Sequence, residues 1–232
     1  FLVLPGIIDF HGDGFEKLIS PRSEAFLPID IAIYETDRQL IANGITTSFY
    51  SLTYTWEKNS LVRNNEGTKR FFEVFNNIKS KLLCDSKMHL RYEIFHTGGL
   101  ERVLTWIEKN YIDLLAFNDH ISYYESNLKD EINMLNMAKK LGTTKDKVKE
   151  EFNKIKDKRD ETKEIILKLA QIAGTKNIPM ASHDEEDIQT RRYYHDIGCR
   201  ISEFPCNRET ALEALKLNDH VVLGAPNVIK GG

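Results

Sequence analysis

The sequence predicts an α/β fold built on a parallel sheet, and three observations carry that expectation. Apolar, β-rich runs alternate with segments of helical periodicity seven times along the chain. Nearly every run ends C-terminally in residues that can do chemistry: HGD, YE, NDH, SHD, SEF and APN. Neither a GxGxxG after the first run nor a GxxxxGK[ST] occurs anywhere. A doubly wound sheet concentrates its chemistry at one switch point. A barrel collects it from the ends of all its strands, so the barrel is favoured.

The elements follow in order. "IIDFHGD" (7–13) reads as the first strand. A helix from about Asp30 to Asn43 is stopped by Asn43-Gly44, because glycine tolerates the helix-ending conformation. "ITTSFYS" (45–51) is rich in β-branched and aromatic residues and reads as the second strand. Phe71, Phe72, Phe75, Ile78 and Leu82 recur at helical spacing. "HLRYEIF" (89–95) is the third strand, Leu100 to Ile107 a helix, and "IDLLAFNDH" (112–120) the fourth strand. A charged helical stretch from about Leu128 to Ala173 divides near "LGTTK", with Thr144 as N-cap. "IPMASHD" (178–184), "CRISEFP" (199–205) and "HVVLGAPN" (220–227) complete seven strands, with a helix ending at Gly198 and another capped by Asn207.

Composition narrows the class. The 232 residues are 41% hydrophobic and 29% charged with net charge −3, so the basic excess of a nucleic-acid binder is missing. No apolar run approaches the ~20 residues of a membrane span. Asp9 and Asp13 sit where a secretory leader would be apolar. Cys84, Cys199 and Cys206 show no CxxC spacing, which fits reduced thiols in the cytoplasm. The chain opens at Phe1 inside a strand and closes on "NVIKGG". The expectation is a single barrel domain, residues 1–232, as a fragment of a longer chain with an eighth strand outside it.

The chemistry collects at the strand ends. In a strand, residues i and i+2 share a face, so His11 and Asp13 would leave the first strand side by side. Glu93, Asp119 with His120, and His183 with Asp184 end three other strands. Each alone has an ordinary structural use, as a core histidine, an ion pair, a turn or a helix cap. Gathered at one barrel mouth, three imidazoles and several carboxylates suit a divalent ion. Such an ion lowers the pKa of bound water to about 7 and makes hydroxide available at neutral pH. His89 and His220 sit at strand starts, on the stabilising side of a barrel; His96 follows the third strand, and His195 has a packing or surface role.

"VLPGIIDFHGD" resembles the first-strand motif of the amidohydrolase superfamily. "GITT", "LRYE", "NDH", "ASHDE", "SEFP" and "GAPNVIKGG" occur in the order found in its phosphonate-utilisation diphosphatase branch. The resemblance implies a distorted (β/α)8 TIM-like barrel, truncated here to about seven of eight strands and without the family's small flanking β-domain. It implies a metal-dependent hydrolase releasing pyrophosphate from α-D-ribose 1-methylphosphonate 5-triphosphate. His11, Asp13, Glu93, His120 and His183 would be the metal ligands, with Glu93 replacing a carboxylated lysine. The ion would be zinc, one or two per chain, with Mn, Ni and Fe left open. Asp184 and Asp119 would manage protons, and a last-strand aspartate is expected beyond Gly232. Lys17 and Arg22 match an "EK…PR" segment and are candidates for the triphosphate. Asn227 would orient substrate or close the turn after Pro226. The expected partner is a phosphorylated small molecule, with no nucleic acid or membrane, and a homodimer is left open. "ISYY" (121–124) and "CN" (206–207) depart from the family pattern at the mouth, where substrate is chosen. An amidohydrolase acting on a C–N bond and a non-catalytic metal-binding paralogue are the alternative readings.

Overall fold

A computed structural model describes residues 3–22, 25–56, 61–119, 134–135, 138 and 144–224. The strands are β1 (Ile7–Gly12), β2 (Ile45–Tyr54), β3 (Asp85–Glu93), β4 (Leu114–Asn118), β5 (Met180–His183), β6 (Ile201–Glu203) and β7 (His220–Val222). All pair in parallel, in chain order from β1 to β7. The helices are α1 (Gly14–Ile19), α2 (Ile29–Ala42), α3 (Asn65–Ile78), α4 (Leu100–Glu108), α5 (Lys145–Lys156), α6 (Arg159–Thr175), α7 (Ile188–Asp196) and α8 (Arg208–Lys216). This is the TIM-like α/β arrangement, with seven strands curled into a half-barrel and helices flanking it.

One contact proves the curl. His11 on β1 and Glu203 on β6 are five strand steps apart, about 24 Å in a flat sheet. Their side chains meet at 2.7 Å, Nδ1 to Oε1. The inner face is therefore enclosed, and residues on it converge.

Alternation along each strand sorts the side chains. Tyr50, Leu52 and Tyr54 of β2, Met88, Leu90 and Tyr92 of β3, and Leu115 and Phe117 of β4 all join the main apolar cluster with the helices. Phe71, Phe72 and Phe75 of α3 and Val103, Trp106 and Ile107 of α4 pack into that outer layer, because each trio forms one helical stripe. Phe72 and Trp106 stack with ring centroids 4.2 Å apart. The α3 stripe begins at the Asn64 cap, whose side chain accepts from Gly67 N at 2.8 Å. Inside the arc, Leu114, Ala116 and Ala181 with Phe10, Phe49 and Ile201 make a small apolar plug. The next inner residues along β3, β4, β5 and β6 are polar, and they stand above this plug.

Several boundaries differ from the expectation. β3 starts at Asp85 rather than His89, because the buried Asp37 carboxylate of α2 accepts from Leu83 N and Cys84 N and ties that segment into the sheet. The charged stretch breaks between α5 and α6, after Lys156. The expected break near "LGTTK" falls mostly outside the described residues, although Thr144 Oγ1 does accept from Lys147 N at 3.4 Å. No described helix is long and apolar enough to cross a membrane.

Candidate metal centre

The bulge in β1 delivers the first site residue. Asp9 pairs with Ser48 and Gly12 with Tyr50, so three steps on β1 face two on β2. The extra residue lets Phe10 enter the inner plug while His11 also reaches the inner space. The end of this bulge is crowded: a Cβ on Gly12 would lie 2.8 Å from Asp9 Oδ2 and 3.3 Å from Phe49 O. β1 ends at Gly12, so the alternation expected to bring Asp13 beside His11 does not reach it. Asp13 is instead the exposed residue at the N-cap position of α1.

Register assembles the rest. His183 on β5 pairs with Glu203 on β6 and with Asn118 on β4, which pairs with Glu93 on β3. One layer thus carries Glu93, Asn118, His183 and Glu203 side by side. Ligand atoms of His11, His183 and Glu203 all lie within 4.8 Å of one another. His89 joins from two inner positions below Glu93 on β3, its Nε2 3.5 Å from Glu203 Oε2. It is fully buried in mid-strand, its Nδ1 2.7 Å from Ser51 Oγ, which corrects its expected place at a strand start. Phe204 walls the cluster, with ring centroids 4.8 Å from His11 and 5.3 Å from His183.

The backbone leaves the site in the same way twice. Asp184 and Phe204, each directly after a site residue, have φ of +55°. Non-glycine residues adopt this region rarely, and such strain gathers at functional sites.

Charge states fit a metal. Burial strips solvent from a His89 cation and pushes its pKa down to about 3. Burial lowers His183 likewise, although Asp184 opposes it from 2.8 Å at Nδ1. Burial alone would raise Glu203, but His89, His11 and His183 outweigh it and hold the carboxyl well below its ordinary range. Neutral imidazoles beside an anionic carboxylate are the states in which these groups bind a cation. The buried Nε2 atoms of His89 and His183 and Oε2 of Glu203 have no hydrogen-bond partner among the described residues. Two to three imidazoles and a carboxylate form a donor set that zinc and similar divalent ions accept.

The expected site residues divide. His11 and His183 meet in the cluster, and Glu93 is buried in the same layer. Asp119 is half-buried just past β4, and Asp184 is exposed beside His183. Lys17 on α1 and Arg22 after it are exposed. His120 and Asn227 lie outside the described residues. Sequence reading missed Glu203 as a candidate ligand, although Ser202-Glu203 aligns in register with Ser182-His183. That repeated Ser-plus-ligand pair at the ends of adjacent strands is the signal that would have found it.

Fold and site together define a TIM-like α/β protein with a candidate divalent-metal centre at the C-terminal ends of its strands. No family model matches the chain. It is 23% identical over 248 residues to the alpha-D-ribose 1-methylphosphonate 5-triphosphate diphosphatase of Escherichia coli (strain K12), a match covering 99% of this chain and 61% of that protein. The chain therefore spans about three fifths of the length of this curated relative. That similarity supports the amidohydrolase-superfamily resemblance carried by the strand-end motifs. Among solved structures, the N-acetyl-D-glucosamine-6-phosphate deacetylase of Mycobacterium smegmatis aligns at 14% identity and TM-score 0.46, covering 90% of this chain and 47% of that one. An organophosphorus hydrolase variant from Deinococcus radiodurans aligns at 13% identity and TM-score 0.43, covering 94% and 63%.

Proposed function

We propose that this chain carries the metal centre of a hydrolase that splits a phosphoanhydride and releases pyrophosphate, with a sugar-phosphonate triphosphate as substrate. The observation that carries the hydrolase reading is the buried cluster of His11, His183 and Glu203, flanked by His89. The diphosphatase relative supports the substrate class.

His11, His183 and Glu203 would hold the ion, with His89 as a further donor and Glu93 and His120 as the remaining expected ligands. Bound there, a divalent ion supplies Lewis acidity and a water of lowered pKa. The protein's own work is orientation. Asp184 Oδ2 lies 2.8 Å from His183 Nδ1 and would orient that imidazole, whose Nε2 lies 3.8 Å from Glu203 Oε2. Phe204 packs its ring against His11 and His183 on one side of the cluster. In the net reaction water adds across the P–O–P bridge, the anhydride bond breaks, and pyrophosphate leaves with the bonding electron pair. Asp184 and Asp119, at the strand ends, are the carboxylates that would take the released proton.

The experiment is phosphorus NMR of the full-length protein, loaded with zinc, given α-D-ribose 1-methylphosphonate 5-triphosphate. The expected result is free pyrophosphate, absent with His183→Ala. An unchanged phosphorus spectrum overturns the reading.

A further inference from the structure

The inner face carries one more charge, and no side chain among the described residues forms an ion pair with it. Arg91 lies between His89 and Glu93 on the inner face of β3 and is 8% exposed. Among the described residues it makes no hydrogen bond and no ion pair, and its buried Nε has no partner. Buried guanidinium groups are ordinarily paired, because an isolated charge is expensive to desolvate. Glu203, Asp184 and Glu93 attract it electrostatically. Glu203 gives Oε1 to His11 and turns Oε2 towards His89 and His183.

The neighbouring strands repeat the pattern. Thr53 on β2 is the direct register partner of Arg91, and its buried Oγ1 is also without a partner. Asn118 on β4 is 1% exposed, and neither its Oδ1 nor its Nδ2 has one. Asn118 pairs in register with His183, so this group of donors borders the metal cluster. A guanidinium, a hydroxyl and an amide N–H on three consecutive strands are what an oxyanion needs.

We propose that Arg91, Thr53 and Asn118 form an anion subsite that holds a negatively charged oxygen group of the substrate, phosphoryl or carboxylate, beside His183. This deepens the hydrolase reading and rests on it for the word substrate. Arg91 supplies the charge and a fixed fork, Thr53 its hydroxyl, and Asn118 the link to the reacting centre.

The test uses the full-length protein after chelator treatment, titrated calorimetrically with inorganic phosphate and separately with acetate. The expected result is binding of one anion in the millimolar range, phosphate if the group is phosphoryl and acetate if it is carboxylate. Arg91→Met is expected to weaken binding about tenfold or more, with Arg91→Lys intermediate because it keeps charge and loses the fork. Without anion, Arg91→Met is expected to melt at or above the wild-type temperature, since an unpaired buried charge has been replaced by an apolar chain. Thr53→Val, nearly isosteric, is expected to weaken anion binding with no loss of folding. Wild-type protein that binds neither anion overturns the proposal, as do Arg91→Met and Thr53→Val variants that bind as tightly as wild type. Metal analysis of the same protein after reconstitution with zinc separates the two readings: anion binding in a protein that takes up no metal leaves the subsite standing and removes the hydrolase.

Discussion

Leu90 and Arg91 are adjacent on one strand and belong to different regimes. The outer face of β2 to β4, where Leu90 points, is apolar and packed against helices. On β5 and β6 that outer face is polar but paired. Glu185, raised by burial yet opposed by the nearby charge of Arg191, meets Arg191 Nη1 at 2.9 Å and accepts from the hydroxyls of Ser182 and Ser202. Arg191 also donates to Cys199 O at 2.8 Å. The inner face, where Arg91 points, gathers His89, Asn118, His183 and Glu203 with polar atoms left without partners. One face pairs most of its polar groups within the protein, with Tyr50 Oη, Thr162 Oγ1 and Arg191 Nε left without a hydrogen bond. The other gathers such groups in one cluster, His89, Asn118, His183 and Glu203.

Substitutions of matched size on the two faces sharpen that contrast. The largest stability loss is expected outside, where Phe72→Ala removes a fully buried ring stacked on Trp106 and should lower unfolding free energy by about 3–5 kcal/mol in urea titration. Next comes Glu185→Ala, which leaves Arg191 short of its nearest carboxylate and should lose about 3 kcal/mol. Pairing it with Arg191→Met should recover much of that loss, the sign of a coupled pair. On the inner face the stability effect shrinks while binding changes. Glu203→Gln keeps the shape and removes the anion that holds the imidazoles, so unfolding should move by only about 1 kcal/mol while metal content falls at least about tenfold. The smallest effect on unfolding is Thr53→Val, within about 0.5 kcal/mol, because its hydroxyl has no partner to lose. A large loss from Thr53→Val together with a small one from Phe72→Ala would break the comparison.

The same division governs what could be read from sequence. The outer face obeys periodicity: Phe71, Phe72 and Phe75, or the alternating Leu90 and Tyr92, announce helix and strand locally. His11 and His183 were legible because each ends an apolar run. His89 was not, since Asp85-Ser86-Lys87 looks like a turn and becomes strand by pairing with Thr47 to Phe49 of β2, with the distant Asp37 carboxylate tying down Leu83 and Cys84 just before it. Asp13 was misplaced for the opposite reason: simple alternation could not anticipate a bulge that ends the strand at Gly12. Glu203 and Arg91 acquire their meaning from register with His183 and Thr53, a property of pairing between segments far apart in the chain.

The claim that the inner face is built for a cation is tested most directly by counting metal per chain. Full-length protein would be reconstituted with zinc, freed of excess and analysed by elemental mass spectrometry beside Glu203→Gln. One or two ions per wild-type chain, lost in the variant, is the result this account predicts. A wild-type chain that retains no metal, or a variant that retains as much, would contradict it.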